Sequence, residues 1–129
     1  MAESVSKQAA FEVVHLGDQP WYTAEDLAEA REIASPRNSR ARNLSIADIR
    51  IPPGVAVRAH RHEVVEEIYH VVAGTGRMTV AGSTREVGPG DTVVILPGER
   101  HDIRNLGTTE LRLLVTCTPP WTPECLVFD

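Results

Sequence analysis

Hydrophobic and polar positions alternate along most of the chain after residue 43, a pattern typical of short β-strands. The alternating stretches cover residues 44–51, 55–62, 67–72, 77–80, 84–87, 91–96, 101–105 and 111–117. Clusters of glycine and proline separate them, for example Pro52-Pro53-Gly54 and Gly88-Pro89-Gly90, and predict turns. Strands this short and this evenly spaced predict an all-β fold, either a sandwich or a small barrel.

The pattern differs before residue 44, where we predict a short N-terminal extension to the β-domain. Residues 1–10 are small and polar, which is typical of a mobile tail. The stretch from Phe11 to Leu16 predicts a short strand. Ala, Glu and Leu then predominate over residues 23–34, where Thr23 could act as a cap with Asp26 three residues on, and this composition favours a helix.

The domain limits follow from these elements. We predict one β-domain over residues 11–117, followed by a C-terminal segment over residues 118–129. That segment contains the apolar run Leu126, Val127 and Phe128. A terminal apolar run of this kind predicts docking, either on the chain's own domain or on a partner subunit.

Composition and charge narrow the class of partner. The chain has 129 residues, of which 42% are hydrophobic and 24% charged, as expected for one globular domain. Its formal net charge is -5 and it has no dense run of Lys or Arg, so neither nucleic acid nor an anionic membrane is an expected partner. No apolar run approaches the roughly 20 residues of a membrane span. No secretion signal is recognisable, so we expect a cytoplasmic protein with two reduced cysteines.

The candidate chemistry begins with two histidines two residues apart, His60 and His62. Side chains at alternate positions of a strand point to the same face, so both imidazoles should project together. Glu67 follows after a short bend, and His101 lies in a second stretch bounded by glycines. Imidazole and carboxylate groups bind divalent transition metals, so these four side chains would hold such an ion if they met at one point. Each histidine alone indicates a metal site only weakly, and the hypothesis rests on the four residues together.

The first of these stretches has a regular spacing. Gly54 is followed after five residues by His60 and His62, after four more by Glu67 and after six more by Gly74. Glycine accepts backbone angles that other residues resist, so the two glycines can turn the chain at either end of the stretch. The candidate ligands therefore lie in a stretch that has a predicted turn at each end.

The second stretch completes the pattern. Gly90 is followed by Gly98, then after two residues by His101 and after three more by Asn105. Together these are the spacings of the two cupin motifs, and the chain resembles a small single-domain cupin. The region before Gly54 and the run from Cys117 to Trp121 also resemble the group labelled mannose-6-phosphate-isomerase-like. The motifs cover residues 54–74 and 90–105. One departure is Pro97, which stands one position later than in the motif and changes a turn without changing a ligand.

The resemblance implies a cupin jelly-roll β-barrel with a metal site inside it. The implied ligands of one divalent transition metal ion per chain are His60, His62, Glu67 and His101. Four protein ligands leave two positions of an octahedral ion open, which suits Fe, Mn, Co or Ni, while Zn and Cu also accept this ligand set. The resemblance also implies a homodimer.

Strand parity extends the candidate site beyond the metal ligands. Arg58 shares a face with His60, and Tyr69 shares a face with Glu67. We therefore interpret Glu67, Arg58 and Tyr69 as candidate catalytic residues. An arginine on that face would pair with an anion, so the expected partner is a small-molecule substrate that is either anionic or an enolisable oxo compound. The alternatives are a solvated Arg58 at the barrel mouth and a Tyr69 that belongs to the core.

Several functions are open to such a site. With iron it could support a dioxygenase, and with an ion that only polarises a carbonyl it could support an isomerase or a lyase, with Glu67 as the base. The other classes are a carrier or sensor that binds a sugar or a carboxylate without turnover, and an accessory protein with a structural barrel. The complete ligand set favours a metal-dependent enzyme over the accessory protein.

Overall fold

The computed structural model describes residues 11–129, and the mobile tail predicted for residues 1–10 lies outside the described residues. Within the described range the chain forms nine strands and two short 3-10 turns. The strands are β1 (Tyr22–Thr23), β2 (Glu29–Ala34), β3 (Ser45–Ile51), β4 (Glu66–Ala73), β5 (Gly76–Val80), β6 (Ser83–Val87), β7 (Thr92–Ile95), β8 (His101–Asn105) and β9 (Leu111–Thr118), and the turns are Leu16–Asp18 and Pro123–Cys125. No helix in this part of the chain has the length and apolarity that a membrane crossing requires.

The strands form two antiparallel sheets around one core. The larger sheet has the order β1-β2-β3-β9-β4-β7 and the smaller one the order β6-β5-β8. The segment before β4 runs beside β8 and joins it through isolated backbone bridges at Ala56 and His60. The predicted all-β jelly-roll fold is confirmed.

The hydrophobic core draws its most deeply buried side chains from both sheets. Ile51, Val71 and Leu111 come from the larger sheet and Ile103 from the smaller, and each has 0% of its surface exposed. Burying an aliphatic side chain of this size contributes about 1.5–3 kcal/mol. Burial of these side chains holds the two sheets together.

The helix predicted over residues 23–34 is wrong. The chain instead makes a turn between Ala24 and Ala28 and then forms β2, which pairs with β3. Alanine suits a helix, but here Ala28 and Ala30 face the core, and pairing within the sheet outweighs the weak local preference. Leu27 has a φ of 80°, which a continuous right-handed helix does not contain.

The strand predicted from Phe11 to Leu16 is also wrong. Residues 11–15 are irregular, and Leu16 begins a 3-10 turn that ends at Asp18. The side chains of Phe11 and Val13 are exposed, at 83% and 77%. These two side chains therefore do not pack on the domain, and a short strand without such packing is not stable.

The strand predicted over residues 55–62 is present only in part. Bridges form at Ala56, His60 and Arg61, and the backbone between the first two is irregular. Val57 and His60 are both buried although they are three positions apart. The alternation of faces expected for a regular strand is therefore broken immediately before the histidine pair.

The C-terminal segment lies against the chain's own barrel. Val127 and Arg61 exchange two backbone hydrogen bonds, with N···O distances of 2.9 and 3.0 Å. The ring of Phe128 lies 6.0 Å from the imidazole of His60, measured between centroids. The segment thus covers the barrel next to the candidate ligands.

Candidate metal centre

His60 and His101 are neighbours because the backbone places them opposite each other. His60 donates its N–H to the carbonyl of His101 at 3.0 Å, and His101 donates to the carbonyl of His60 at 2.8 Å. Directly opposed residues of an antiparallel pair project to the same face. Their ring centroids are accordingly 4.4 Å apart.

Each candidate imidazole is oriented by a backbone carbonyl. In each ring Nδ1 lies within hydrogen-bond distance of a carbonyl oxygen. The pairs are His60 with Arg58 at 2.7 Å, His62 with Cys125 at 3.0 Å and His101 with Glu99 at 2.9 Å. A carbonyl can only accept, so Nδ1 carries the proton and donates it. The remaining nitrogen, Nε2, is thereby directed as a ligand atom, as in metal-binding histidines.

Glu67 brings a carboxylate oxygen to these nitrogens. Its Oε1 lies 3.2 Å from Nε2 of His62 and 3.1 Å from Nε2 of His101. Ligand atoms from His60, His62, Glu67 and His101 all lie within 4.8 Å of one another. Metal–ligand bonds of about 2.1 Å place adjacent ligand atoms about 3 Å apart. The observed separations therefore fit a single ion.

The cluster also contains buried polar atoms without partners. Among the described residues, Nε2 of His62, Nε2 of His101 and Oε1 of Glu67 are buried, and their close contacts with one another do not have hydrogen-bond geometry. A buried polar atom left unsatisfied costs about 1–3 kcal/mol. One divalent ion at the shared point would satisfy all of these atoms, so the residues present fit a metal site.

A cavity opens beside the cluster, and Glu67 forms part of its wall. The cavity has a volume of about 50 Å³, several times the roughly 10–15 Å³ that one water molecule requires. Its other lining residues are Tyr22, Ala24, Asp26, Ala28, Ala30, Glu32, Ser45, Ala47, Ile49, Val57, Tyr69, Ile103, Leu113, Val115, Cys117 and Trp121. Mostly apolar walls with a few polar groups are typical of sites for small organic molecules.

Comparison with known proteins decides the family. A protein-family model described as "Cupin domain" matches residues 47–117, which is more than half of the chain. The chain belongs to the cupin family. The predicted membership is thereby confirmed, while the mannose-6-phosphate-isomerase-like group stays a prediction.

The cupin is similar to proteins from two other organisms. An uncharacterized protein of Methanocaldococcus jannaschii is 34% identical over 103 residues, which cover 80% of this chain and 82% of that protein. The oxalate-binding protein of Thermotoga maritima is 37% identical over 68 residues, which cover 53% of this chain and 56% of that protein. A crystal structure described as a predicted oxalate decarboxylase from Thermotoga maritima has a TM-score of 0.71 and 25% identity, covering 84% of this chain and 99% of the other.

The imidazoles of this cupin differ in protonation. Burial lowers the pKa of His60 to about 4, so this ring is neutral near pH 7. Burial also opposes a charge on His62, but its interactions with Cys125 and Glu67 outweigh burial and raise its pKa to about 10. Burial raises the pKa of Glu67, yet the close imidazoles of His101 and His62 bring it down to about 2. His62 and Glu67 are therefore an imidazolium–carboxylate pair near pH 7.

Metal binding is expected to release about one proton per ion near pH 7. A coordinating imidazole must give up the proton on the nitrogen that binds the ion, and His62 keeps that proton below about pH 10. The apparent affinity for a divalent ion should therefore rise about tenfold per pH unit from about pH 6 to about pH 9. Calorimetric titration in buffers of different ionisation enthalpy measures the released protons directly.

His70 offers a matched control for the proton count. Its ring is on the opposite face of β4 from Glu67, and its Nδ1 lies 2.8 Å from the hydroxyl of Thr92. The variant His70→Gln should release the same number of protons as the parent. Binding heats that do not vary with the buffer would contradict an imidazolium at His62.

The structure does not bring Arg58 into the cavity, which corrects the parity prediction. Its side chain is exposed, and the guanidinium lies over the ring of Phe128 at 3.9 Å from the centroid. Val57 faces the cavity instead. The prediction assumed a regular strand up to His60, and the irregular backbone before this residue removes that assumption.

Tyr69 lines the cavity, on the same face of β4 as Glu67. Its ring packs edge-on against His101, with the centroids 5.8 Å apart. Burial raises the pKa of its hydroxyl well above the usual range, so the group is an uncharged phenol that can donate a hydrogen bond. Its role as a catalytic residue stays a prediction.

Sequence reasoning missed Cys117, which contacts the second carboxylate oxygen of Glu67. The two residues are directly opposed in the pairing of β4 with β9, and Sγ of Cys117 lies 3.4 Å from Oε2 of Glu67. Burial raises the pKa of this thiol far above its usual value, so the group is a neutral donor. Only the register of the two strands reveals this contact, and the sequence carries no signal for it.

Asp26 was also missed as a site residue, because the helix prediction placed it in a first helical turn. It is buried, with 7% of its surface exposed. Its Oδ2 lies 3.7 Å from Nε2 of His60. Burial raises the pKa of its carboxyl group, and the nearby Glu67 adds to this. The composition of residues 23–34 favoured a helix and gave no signal that Asp26 reaches the site.

Proposed function

We propose that this cupin binds one divalent transition metal ion through His60, His62, Glu67 and His101 and acts on a small organic molecule in the adjoining cavity. The observation that supports this most is the set of buried ligand atoms that lack partners among the described residues. Neutral imidazoles and one carboxylate would reduce the charge of a divalent ion to about +1, and this ligand set admits Fe, Mn, Ni, Co, Zn or Cu.

The reaction we propose belongs to the dioxygenase, isomerase or lyase class. When bound, the ion would supply a Lewis acid or, in the case of iron, a redox centre. Glu67 lies in the cavity wall, where its carboxylate can take a proton from a bound molecule. Cys117 orients that carboxylate through Oε2, and apolar walls limit access of water to the reacting groups.

Binding without turnover is the second candidate function. It is supported by the 37% identity over 68 residues with the oxalate-binding protein of Thermotoga maritima. The same cavity and the same ligand set would serve a carrier of a sugar or a carboxylate. The two candidates share the metal site and differ in whether Glu67 transfers a proton.

Metal content and proton exchange together test the proposal. Elemental analysis is expected to find about one transition metal ion per chain. Metal-loaded and chelator-treated protein are then incubated in D₂O with hydroxyacetone, and NMR follows the loss of the proton signals next to the carbonyl, while an oxygen electrode tests for dioxygen consumption. Metal-dependent exchange or oxygen uptake supports the enzyme, and binding without either supports the carrier. Protein that takes up none of the six ions contradicts both candidates.

We also propose that the protein is a homodimer. The outer face of the larger sheet carries Val72, Val94 and Leu114, with exposed fractions of 52%, 56% and 37%. Their strands β4, β7 and β9 are neighbours in the sheet, so these side chains form one apolar surface that a second copy would cover. Light scattering at micromolar concentration should give the mass of two chains, and the mass of one chain would contradict the proposal.

A further inference from the structure

Asp26 places a carboxylate beside the candidate ligands without being one of them. Its side chain is 10% exposed, and Oδ2 lies 3.7 Å from Nε2 of His60. Oδ1 accepts the N–H of Ala28 at 3.0 Å, whereas Oδ2 accepts no hydrogen bond from residues 11–129. Asp26 also lines the cavity. Its second oxygen is therefore an acceptor available to a molecule in the cavity.

The backbone around Asp26 holds this carboxylate in place. Ala24 donates its N–H to the carbonyl of Ala28 at 2.9 Å, and Leu27 donates to the carbonyl of Ala24 at 2.9 Å. The φ of Leu27 is 80°, in the left-handed region that L-residues disfavour. The carbonyl of Asp26 accepts the N–H of Arg58 at 2.6 Å, which ties the turn to the segment that carries the histidine pair.

Among residues 11–129, acidic side chains line the cavity and no basic side chain does. In the part of the chain that the structure describes, its charged lining residues are Asp26, Glu32 and Glu67. Glu32 forms an ion pair with Arg37. The predicted cation, Arg58, is exposed and lies outside the cavity. Asp26 and Glu67 are thus the acidic groups whose charge a ligand would meet.

The charge balance favours a neutral ligand. With a divalent ion at the four ligands and an ionised Asp26 beside it, the charges of the ion, Glu67 and Asp26 sum to zero. A carboxylate ligand would add uncompensated negative charge to a buried space, which is costly. A hydroxyl group adds no charge, and it can donate a hydrogen bond to Oδ2 of Asp26.

Building on the proposed function, we propose that Asp26 selects the ligand of the cavity. It admits an uncharged hydroxy-carbonyl compound, such as an α-hydroxy ketone, and disfavours a carboxylate of similar size. The hydroxyl of the ligand donates to Oδ2 of Asp26. This assigns a specificity-determining role to a residue outside the two cupin motifs.

The shape of the site is consistent with a ligand whose polar end is small. The inner cavity of about 50 Å³ adjoins an outer pocket of about 390 Å³. Tyr22, Ala24, Glu32 and Trp121 line both spaces. The hydroxy-carbonyl end would occupy the inner cavity next to Asp26, and a larger remainder would extend into the outer pocket.

Hydroxyacetone and pyruvate make a matched pair of probes. Both are small carbonyl compounds of the same carbon number, but hydroxyacetone is neutral with a donor hydroxyl and pyruvate is an anion. Their affinities for the Co(II)-loaded protein are measured by changes in its visible absorption spectrum and by calorimetry, with the cobalt content determined in the same sample. The parent protein is expected to bind hydroxyacetone at least about tenfold more tightly than pyruvate, the factor expected for one hydrogen bond to a charged group.

The variant Asp26→Asn tests the residue itself. Asparagine keeps an oxygen for the N–H of Ala28 and removes the charge. Hydroxyacetone is expected to bind about tenfold more weakly and pyruvate more tightly, so the preference should be lost or reversed. The matched control is Glu66→Gln, which removes a charge from an exposed side chain of β4 that lines neither space and should keep the preference of the parent.

Each other outcome overturns the inference. Tighter binding of pyruvate by the parent does so, as does an unchanged preference in Asp26→Asn, an equal shift in Glu66→Gln, or failure of both probes to bind. If Asp26→Asn does not fold, the inference is tested by whether the parent protein prefers hydroxyacetone to pyruvate. Protein without bound cobalt overturns the proposed function together with this inference, and the metal determination separates that case from a failure of Asp26 alone.

Discussion

Glu67→Gln is expected to lower the affinity for a divalent ion on the order of 100-fold or more. Glu67 supplies the negative charge of the proposed ligand set, and its Oε1 lies 3.2 and 3.1 Å from the Nε2 atoms of His62 and His101. Glutamine has the same size and keeps the contact with Cys117, but its amide is a poor ligand for these ions. The variant therefore removes the charge while it preserves the packing of β4.

The loss of metal affinity is measured in two steps. The metal content is determined after dialysis against a weak chelator, and a competitive titration then gives the affinity. The matched control is Glu66→Gln, which removes a carboxylate from the exposed face of the same strand and should bind metal like the parent. Circular dichroism checks that both variants are folded. A Glu67→Gln protein that retains one tightly bound ion would remove Glu67 from the ligand set.

Gly74→Ala is expected to reduce the free energy of unfolding by about 3 kcal/mol or more, as backbone strain and overpacking add together. Gly74 has a φ of +88°, in the left-handed region, and lies between β4 and β5. An added Cβ would lie 2.9 Å from the carbonyl oxygen of Glu110 and 2.9 Å from Cα of Leu111. Both neighbours are backbone atoms at the start of β9, so they cannot move aside without disturbing the sheet.

The variant Gly82→Ala separates the cost of backbone strain from the cost of overpacking. Gly82 has nearly the same conformation, with a φ of +86°, but an added Cβ would meet nothing within 4 Å. The substitution should therefore cost only the conformational part, about 1–2 kcal/mol. Denaturant unfolding of both variants measures the difference. An equal loss of stability in the two variants would show that contact with β9 does not constrain Gly74.

Most strands of the β-domain could be predicted from local sequence patterns. Seven of the predicted strands, from residues 44–51 to residues 111–117, correspond to strands of the structure within a few residues. Alternation of polar and apolar positions and the glycine and proline turns are local signals, and they agree here with the burial that the fold imposes. The β8 prediction, residues 101–105, has the same bounds in the structure.

The candidate ligands could also be predicted from the sequence, because their spacing is a local property of two short segments. The structure adds how they meet. His60 and His101 come together through backbone pairing of the two segments, and Glu67 reaches Nε2 of His62 and His101 from the larger sheet. Motif spacing could name these residues, while the distances between them depend on the packing of the sheets.

Predictions failed where the outcome depended on partners distant in the chain. Residues 23–34 have a helical composition, but pairing with β3 and burial of Ala28 and Ala30 make the second half of this segment a strand. Arg58 lies outside the cavity because its segment pairs irregularly with β8. Local preference is worth a fraction of a kcal/mol per residue, and contacts across the sheets outweigh it.

Which side chains surround the candidate ligands depends on the tertiary structure. Cys117 meets Glu67 because β9 pairs with β4 in one particular register. Asp26 reaches the cavity because a turn with Leu27 in a left-handed conformation directs it away from solvent. Neither residue belongs to one of the two cupin motifs, and no local pattern marks either as part of the site. Strand register and turn conformation are properties of the packed chain, so the side chains that surround a site are fixed only when the sheets close around it.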